Sequence, residues 1–258
     1  MFHVDGDRAV PTELARGPWS PDAQHGGAPG ALLAREIERC DPGPADFVTR
    51  LTIELLRPVP LTPLRMASRT TRPGKKVQWI EAALFDGDRE IVRATGLRVR
   101  TADLGLPTVI AENVAMPALA DSQALKLDPL LGGPDALGFW HAVEVRLARG
   151  SWTEPGPSAV WFRLAVPIVA GETPSPLQRA AAVADFGNGI SSALERGKFL
   201  FINPDLTIAL HRSPVGEWVG LDAHTSVEPV GIGLAVGTLH DEQGPIGRSM
   251  QCLLVDRL

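Results

Sequence analysis

Four segments, near 46–57, 61–72, 75–85 and 90–100, are rich in Val, Ile, Leu and Thr and are parted by Pro, Pro-Gly or Asp-Gly. That pattern predicts an antiparallel meander, with Phe85-Asp86-Gly87-Asp88 as its clearest hairpin turn. Ahead of it the period is helical. Ala28 to Arg39 sets Leu32, Leu33 and Ile37 among Arg35, Glu36, Glu38 and Arg39, a helix that opens just after Gly26-Gly27. Residues 2–19 carry short apolar stretches broken by charge and read as an opening strand or hairpin, closed by turn chemistry at Ser20-Pro21-Asp22.

The same succession returns later. Residues 140–148 and 159–168 read as strands, and helical text begins at Ser175. There Ser175-Pro176-Leu177-Gln178 supplies a capping residue, Pro at the first helical position and Gln at the third. The helix should bend or restart at Asp185-Phe186-Gly187-Asn188-Gly189, because two glycines weaken it. Four strands near 204–212, 217–228, 231–240 and 245–256 close this part. Between the two parts, 104–138 reads as a linker containing Gly132-Gly133-Pro134, with a short helix expected around Ala118–Leu127. The expected units are 1–103 and 139–258.

The return is also literal. Leu51-Thr52-Ile53 followed by Arg57-Pro58 comes back as Leu206-Thr207-Ile208 followed by Arg212 and Pro214. At the same spacing Asp86 maps to Asp241, and Ile91-x-Arg93 to Ile246-x-Arg248. A period this long lies far outside the roughly 20–50 residues of solenoid repeats. It predicts one α+β domain, a helix followed by a meander, duplicated and fused.

Composition narrows the function. The 258 residues suffice for two small domains or one body with a substantial core. A net charge of −5 argues against nucleic acid as a partner, which needs a basic face. No apolar run reaches the roughly 18 residues of a membrane span, and residues 1–7 show no secretory leader, so a cytoplasmic chain is expected. Cys40 and Cys252 are too few and too isolated for a disulfide framework or a zinc cluster.

His25-Gly26-Gly27 at the start of the first helix is similar to the His-Gly-Gly of hotdog thioesterases. The later half resembles the acyl-CoA thioesterase II family more specifically. Asp185 falls on the family's helix aspartate, His211-Arg212 on the pair ending a strand, and Met250-Gln251 on the glutamine segment of the last strand. The resemblance implies a tandem double hotdog: two curled antiparallel sheets, each wrapping a central helix, joined edge to edge. It implies hydrolysis of acyl-CoA thioesters to fatty acid and CoA, with no metal or redox cofactor, in a homodimer or larger assembly. In the family an aspartate, a threonine or serine, and a glutamine hold the attacking water. The family spacing, eight residues before His211, lands here on Asn203, not a hydroxyl. An amide can still donate to and accept from a water. Thr207 is the fallback, without support from the family spacing.

Thioester hydrolysis needs an activated water, a stabiliser for the developing oxyanion and a dry slot for the acyl chain. Asp185, Asn203 and Gln251 are the candidates for the first task. His25, Gly26 and Gly27 are the candidates for the second, since the N–H groups of a helix N-terminus lack partners and face a favourable dipole. Alternation along the last strand leaves Gln251's side undecided, for Met250, Cys252 and Leu254 make the opposite face apolar as well. The repeat supplies a control. Asn203 corresponds to Val48 and Gln251 to Gly96, while a looser helix alignment sets Asp185 against Gly26 or His25. One hydrolytic site per chain is expected.

Plainer readings exist for each residue. Asp185 fits as the cap of a restarted helix, Asn203 before Pro204 as a turn residue, and Gln251 as a polar edge residue. His25 fits as a turn's backbone partner, and His211 and His224 as exposed groups. Arg72, Lys75 and Lys76 could meet coenzyme A phosphates or form a solvated turn. Acyl length depends on how Trp140, Trp161 and Phe186 pack. Two other functions compete: a non-catalytic acyl-CoA-binding hotdog, and a hotdog enoyl-CoA hydratase. The latter carries a His five residues after its Asp, where this chain has Ile190.

Overall fold

The computed structural model describes residues 1–109, 115–126, 136–195 and 197–258. The chain opens with the hairpin β1 (Phe2–Asp5) and β2 (Arg8–Pro11), then α1 (Gly27–Arg39) and the meander β3 (Phe47–Leu55), β4 (Leu64–Arg72), β5 (Val77–Asp86) and β6 (Arg89–Val99). The connecting segment carries β7 (Gln123–Leu125) and leads to β8 (Val143–Arg149) and β9 (Ser158–Leu164). Next come α2 (Pro176–Ala184), α3 (Gly187–Ile190), β10 (Phe199–Ile202), β11 (Asp205–Leu210), β12 (Trp218–Glu228), β13 (Ile232–Asp241) and β14 (Gly244–Arg257).

The expected helix near 118–127 is instead a single 3-10 turn, Leu119–Asp121, followed by β7. The Ser122 hydroxyl bonds back to the Ala118 carbonyl and β7 pairs with β8, so extended pairing wins over continued helix. Gly132-Gly133-Pro134 lies outside the described residues. β7 and β10 are additions to the expected strands.

Among the described residues the strands form one hydrogen-bonded antiparallel path, β1-β2-β4-β5-β6-β3-β11-β14-β13-β12-β9-β8-β7, with β10 also on β14. The halves meet where β3 pairs with β11, and Thr52 stands opposite Thr207 with their hydroxyl oxygens 3.2 Å apart. These are equivalent residues of the repeat, so a local two-fold relation passes between them. The ladders repeat too. Val77↔Val99 and Gln78↔Arg98 on β5–β6 return as Ile232↔Leu254 and Gly233↔Leu253 on β13–β14. Each ladder slips by one residue at the same point, Leu84/Phe85 and Leu239/His240. A β-bulge shared at an equivalent position points to a duplicated backbone plan.

α1 and α2 lie antiparallel over the sheet, with the main apolar core between helices and strands. The Ser175 hydroxyl caps α2 and donates to Glu38 at 2.7 Å, and Arg35 forks onto Glu172 at 2.5 and 2.7 Å. Those contacts tie the start of α2 to the end of α1. At the opposite end α1 begins against the end of α2, and a Cβ on Gly27 would lie 2.5 Å from the Ala182 carbonyl oxygen. α1 also rests directly on Gly96, where a Cβ would meet Ile37 Cγ2 at 2.4 Å.

Candidate active site

The second helix breaks where the sequence places two glycines. α2 stops at Ala184, Asp185 and Phe186 form a turn, and α3 restarts at Gly187. A break leaves backbone groups without helical partners, and Gln251 bridges them. Its Oε1 accepts from the Asn188 N–H at 2.9 Å, and its Nε2 donates to the Asp185 carbonyl at 3.2 Å and to Asp185 Oδ1 at 3.3 Å. Gly187 is required there, since a Cβ would stand 2.8 Å from Gln251 Oε1. Ser249, Gln251, Leu253 and Val255 face inward, while Met250 and Leu254 are exposed outside, which settles the question alternation left open.

Asn203 reaches the same carboxylate by another route. β10 and β11 both run along β14, but the register slips by one residue between Ile202↔Leu254 and Thr207↔Met250. Pro204 has no N–H to give to the ladder, so pairing lapses there. Asn203 continues the inward alternation of Phe199 and Phe201, and its Nδ2 donates to Asp185 Oδ1 at 2.9 Å. β3 carries the matching slip between Val48 and Arg50, so Val48 is the true counterpart of Asn203.

The third approach comes from the first half. His25 Nδ1 lies 3.1 Å from Asp185 Oδ2 and also 3.1 Å from the Gly27 nitrogen, which donates to it. Its ring stacks on Phe139 (centroids 4.4 Å apart, planes 6° apart) and leans on Phe186, which in turn stacks on Phe162. Burial pushes the His25 pKa down and outweighs the opposing pull of Asp185. The imidazole is therefore neutral near pH 7, and its Nδ1 faces the Asp185 carboxylate and the Gly27 N–H together. Gly26 fits against Asp185 because it has no side chain: a Cβ would come 2.8 Å from Oδ2. With the Gly27 N–H given to His25, the Gly26 N–H is the donor at this helix tip that has no partner among the described residues.

All six predicted residues thus converge on one point between the halves. Other candidates do not reach it. His211, His224, Arg72, Lys75 and Lys76 are exposed, and Thr207 is spent on Thr52 at the seam. Arg212 pairs with the buried Asp241. The helix alignment needs correction. α1 and α2 start at Gly27 and Pro176, 149 residues apart, which puts Asp185 opposite Arg35–Glu36 and not opposite His25 or Gly26. The sister position therefore has a carboxylate nearby, but Glu36 is bound to Arg35 at 2.5 Å. The aromatic wall around His25 had no signal in the sequence beyond the bulk of Phe186, since Phe139 sits on a 3-10 turn just after the connecting segment. Among the described residues no cluster of three or more His, Cys, Asp or Glu is placed to hold a metal ion. No helix among them is long and apolar enough to cross a membrane.

His240 is a second buried imidazole, its pKa likewise lowered chiefly by burial. A depressed folded-state pKa gives stability that is complete above the ordinary imidazole value of about 6.5 and is lost as pH falls below it. The melting temperature is expected to fall between about pH 7.5 and pH 5.5, before carboxylates titrate. Replacing His240 with Gln should flatten that fall in a calorimetric pH series.

Family models for the acyl-CoA thioesterase N-terminal domain and C-terminal domain match residues 15–99 and 115–255. No curated protein matches the sequence. Among solved structures, a candidate thioesterase II from Thermobifida fusca YX is 18% identical, with 99% of this chain and 94% of that chain covered and a TM-score of 0.74. A protein of unknown function with a hot dog fold from Alicyclobacillus acidocaldarius is 16% identical, covers 99% and 96%, and has a TM-score of 0.77. The acyl-CoA thioesterase II TesB2 from Mycobacterium marinum is 16% identical, covers 92% and 90%, and has a TM-score of 0.61. At such identities the structural likeness is one of fold, a hotdog fold built on a large antiparallel sheet. The family assignment rests on the sequence match to both of its domains: the chain belongs to the acyl-CoA thioesterase family.

Proposed function

We propose that this thioesterase hydrolyses its acyl-CoA substrate with a water held by Asp185, Asn203 and Gln251, and that the Gly26 N–H receives the oxyanion. The observation that carries the reading is the convergence on one carboxylate of Asn203, Gln251 and the His25-Gly26 tip from the other half. The water oxygen attacks the thioester carbonyl while Asp185 takes its proton. Negative charge gathers on the carbonyl oxygen, where a helix-tip N–H in a dry setting stabilises it. The C–S bond then breaks, Asp185 returns the proton to the departing sulfur, and carboxylic acid and thiol remain. Gln251 keeps the helix break rigid, and its longest bond, 3.3 Å to Oδ1, is the one a bound water displaces. His25 Nδ1 stands against Oδ2 and fixes the rotamer of the carboxylate. The chemistry asks for no metal or redox cofactor.

In this reading residues 1–103 and 139–258 are hotdog repeats joined by 104–138 into a double hotdog, a cytoplasmic enzyme acting in fatty acid metabolism. The exposed Ile232, Leu234, Met250 and Leu254 on the outer sheet face favour a homodimer or larger.

Asn203 is the residue to test, because the family has a hydroxyl there. Asn203→Leu is expected to lower kcat for thiol release by about 10²-fold, as loss of one positioned polar group does. Asn203→Thr should keep most of the activity. Wild-type turnover in the leucine variant would remove Asn203 from the site. A wild-type protein that binds acyl-CoAs but releases no thiol from any of them would favour the binding-protein alternative.

A further inference from the structure

The carboxylate has one more buried polar neighbour, Asn188. It is 6% exposed, and its carboxamide has no hydrogen-bond partner among the described residues. A buried amide without a partner is uncommon and asks for a ligand. Gln24 Oε1, Trp140 Nε1, Arg179 Nε and His240 Nε2 are unpartnered too, but those atoms are sealed from solvent. The Asn188 amide is not, so it opens onto space that water or substrate can enter.

The helix break aims it. Asp185 and Phe186 have ψ of −15° and −7°, and the Phe186 N–H bonds to the Val183 carbonyl, three residues back, at 3.0 Å. In that tighter winding, side chains three residues apart eclipse, so Asn188 follows Asp185 on the same side, one turn on. Gln251 Oε1 pins its backbone there, 2.9 Å from the Asn188 nitrogen. α1 runs antiparallel to α2 and starts against Ala182, so by residue 188 the chain has passed the tip of α1. Asn188 therefore borders the space in front of the Gly26 N–H.

We propose that the Asn188 carboxamide is a second oxyanion donor, its Nδ2 meeting the thioester carbonyl oxygen together with the Gly26 N–H. The proposal rests on the reading of Asp185 as the base. A water about 2.8 Å from the carboxylate, with the carbonyl carbon about 3 Å from that water, puts the reacting centre roughly 5 Å from Asp185. Side chains one helical turn apart are separated by about 5–6 Å, so the carbonyl oxygen falls within reach of the next turn. Negative charge developing in a dry site is held better by two aimed donors than by one. No proton moves to or from Asn188.

Asn188→Ala is expected to lower kcat for thiol release by about 10²–10³-fold, the loss typical of one oxyanion donor, with KM little changed. Asn188→Asp, equal in shape but without the N–H, should lose at least as much, and circular dichroism melts of both should report an intact fold. Two analogues read the same contact without turnover. S-trifluoroacetonyl-CoA hydrates to a tetrahedral centre, and S-propyl-CoA has none. By calorimetry Asn188→Ala should weaken the first at least about tenfold and leave the second nearly unchanged. Equal weakening of both, or near-wild-type turnover in either variant, would overturn the assignment. Asp185→Asn separates this proposal from the reading it rests on. A dead Asp185→Asn beside active Asn188 variants removes only the second donor, whereas an active Asp185→Asn removes the base. If the wild type hydrolyses no acyl-CoA, the analogue pair still decides: ketone binding indifferent to Asn188→Ala, or a wild type that binds neither analogue, overturns the donor.

Discussion

Alanine at position 185 is expected to lower kcat for acyl-CoA hydrolysis by about 10²–10⁴-fold, the range attributed to a positioned general base. The fold should survive. Asn203 Nδ2 loses its acceptor, at a cost of about 1–3 kcal/mol, but Gln251 retains the Asp185 carbonyl at 3.2 Å and the Asn188 N–H at 2.9 Å, so the helix break stays bridged. Asp185→Asn is the companion variant, equal in volume and unable to take the proton. Thiol-release kinetics beside a circular dichroism melt separate chemistry from folding. Near-normal turnover by either variant, with the fold intact, would leave the convergence on this carboxylate structural only.

Gly27→Ala should have the largest effect on stability. Its Cβ would lie 2.5 Å from a backbone oxygen of α2, and backbone cannot swing aside as a side chain can. Separating two packed helices costs about 1–3 kcal/mol. At roughly 2–4 °C per kcal/mol for a protein of this size, the melting temperature should drop by about 2–12 °C. Gly26→Ala is a contrast one residue away. There the added Cβ meets the Asp185 carboxylate, 2.8 Å from Oδ2, so the expected loss is in kcat/KM with a much smaller change in melting temperature. If both variants melt and turn over like the wild type, the closeness of the helix tip to α2 and Asp185 matters neither for packing nor for rate.

The strands of both meanders were legible because Pro, Pro-Gly and Asp-Gly interrupt them, and turn residues act through local sterics that sequence displays directly. β10 was missed for a physical reason. It is four residues long, follows the charged run Glu195–Lys198, and pairs with β14, a contact made across the chain. The site residues could be named in order but not aimed. Gln251 lies on a strand whose two faces are both apolar, and burial alone reveals which one looks inward. Asn203 points to Asp185 because it continues β10, whose pleat is offset by one residue from that of β11 at Pro204. The helix alignment failed because the strand spacing of the repeat does not extend to α1 and α2, whose starts are six residues closer than the strands. Val48 and Gly96, read as inert counterparts of Asn203 and Gln251, keep those places in the register.

Gly96 and Gln251 also bear on how freely the halves could be exchanged. An unbroken helix needs bare backbone beneath it, and a broken one needs an amide to bridge the gap, so each half's last strand suits only its own helix. Two copies of the later half would supply two bridged breaks but no His-Gly-Gly tip to set against them, and two copies of the earlier half would supply tips beside a Glu36 already bound to Arg35. Neither half can serve as a substitute for the other in building this site.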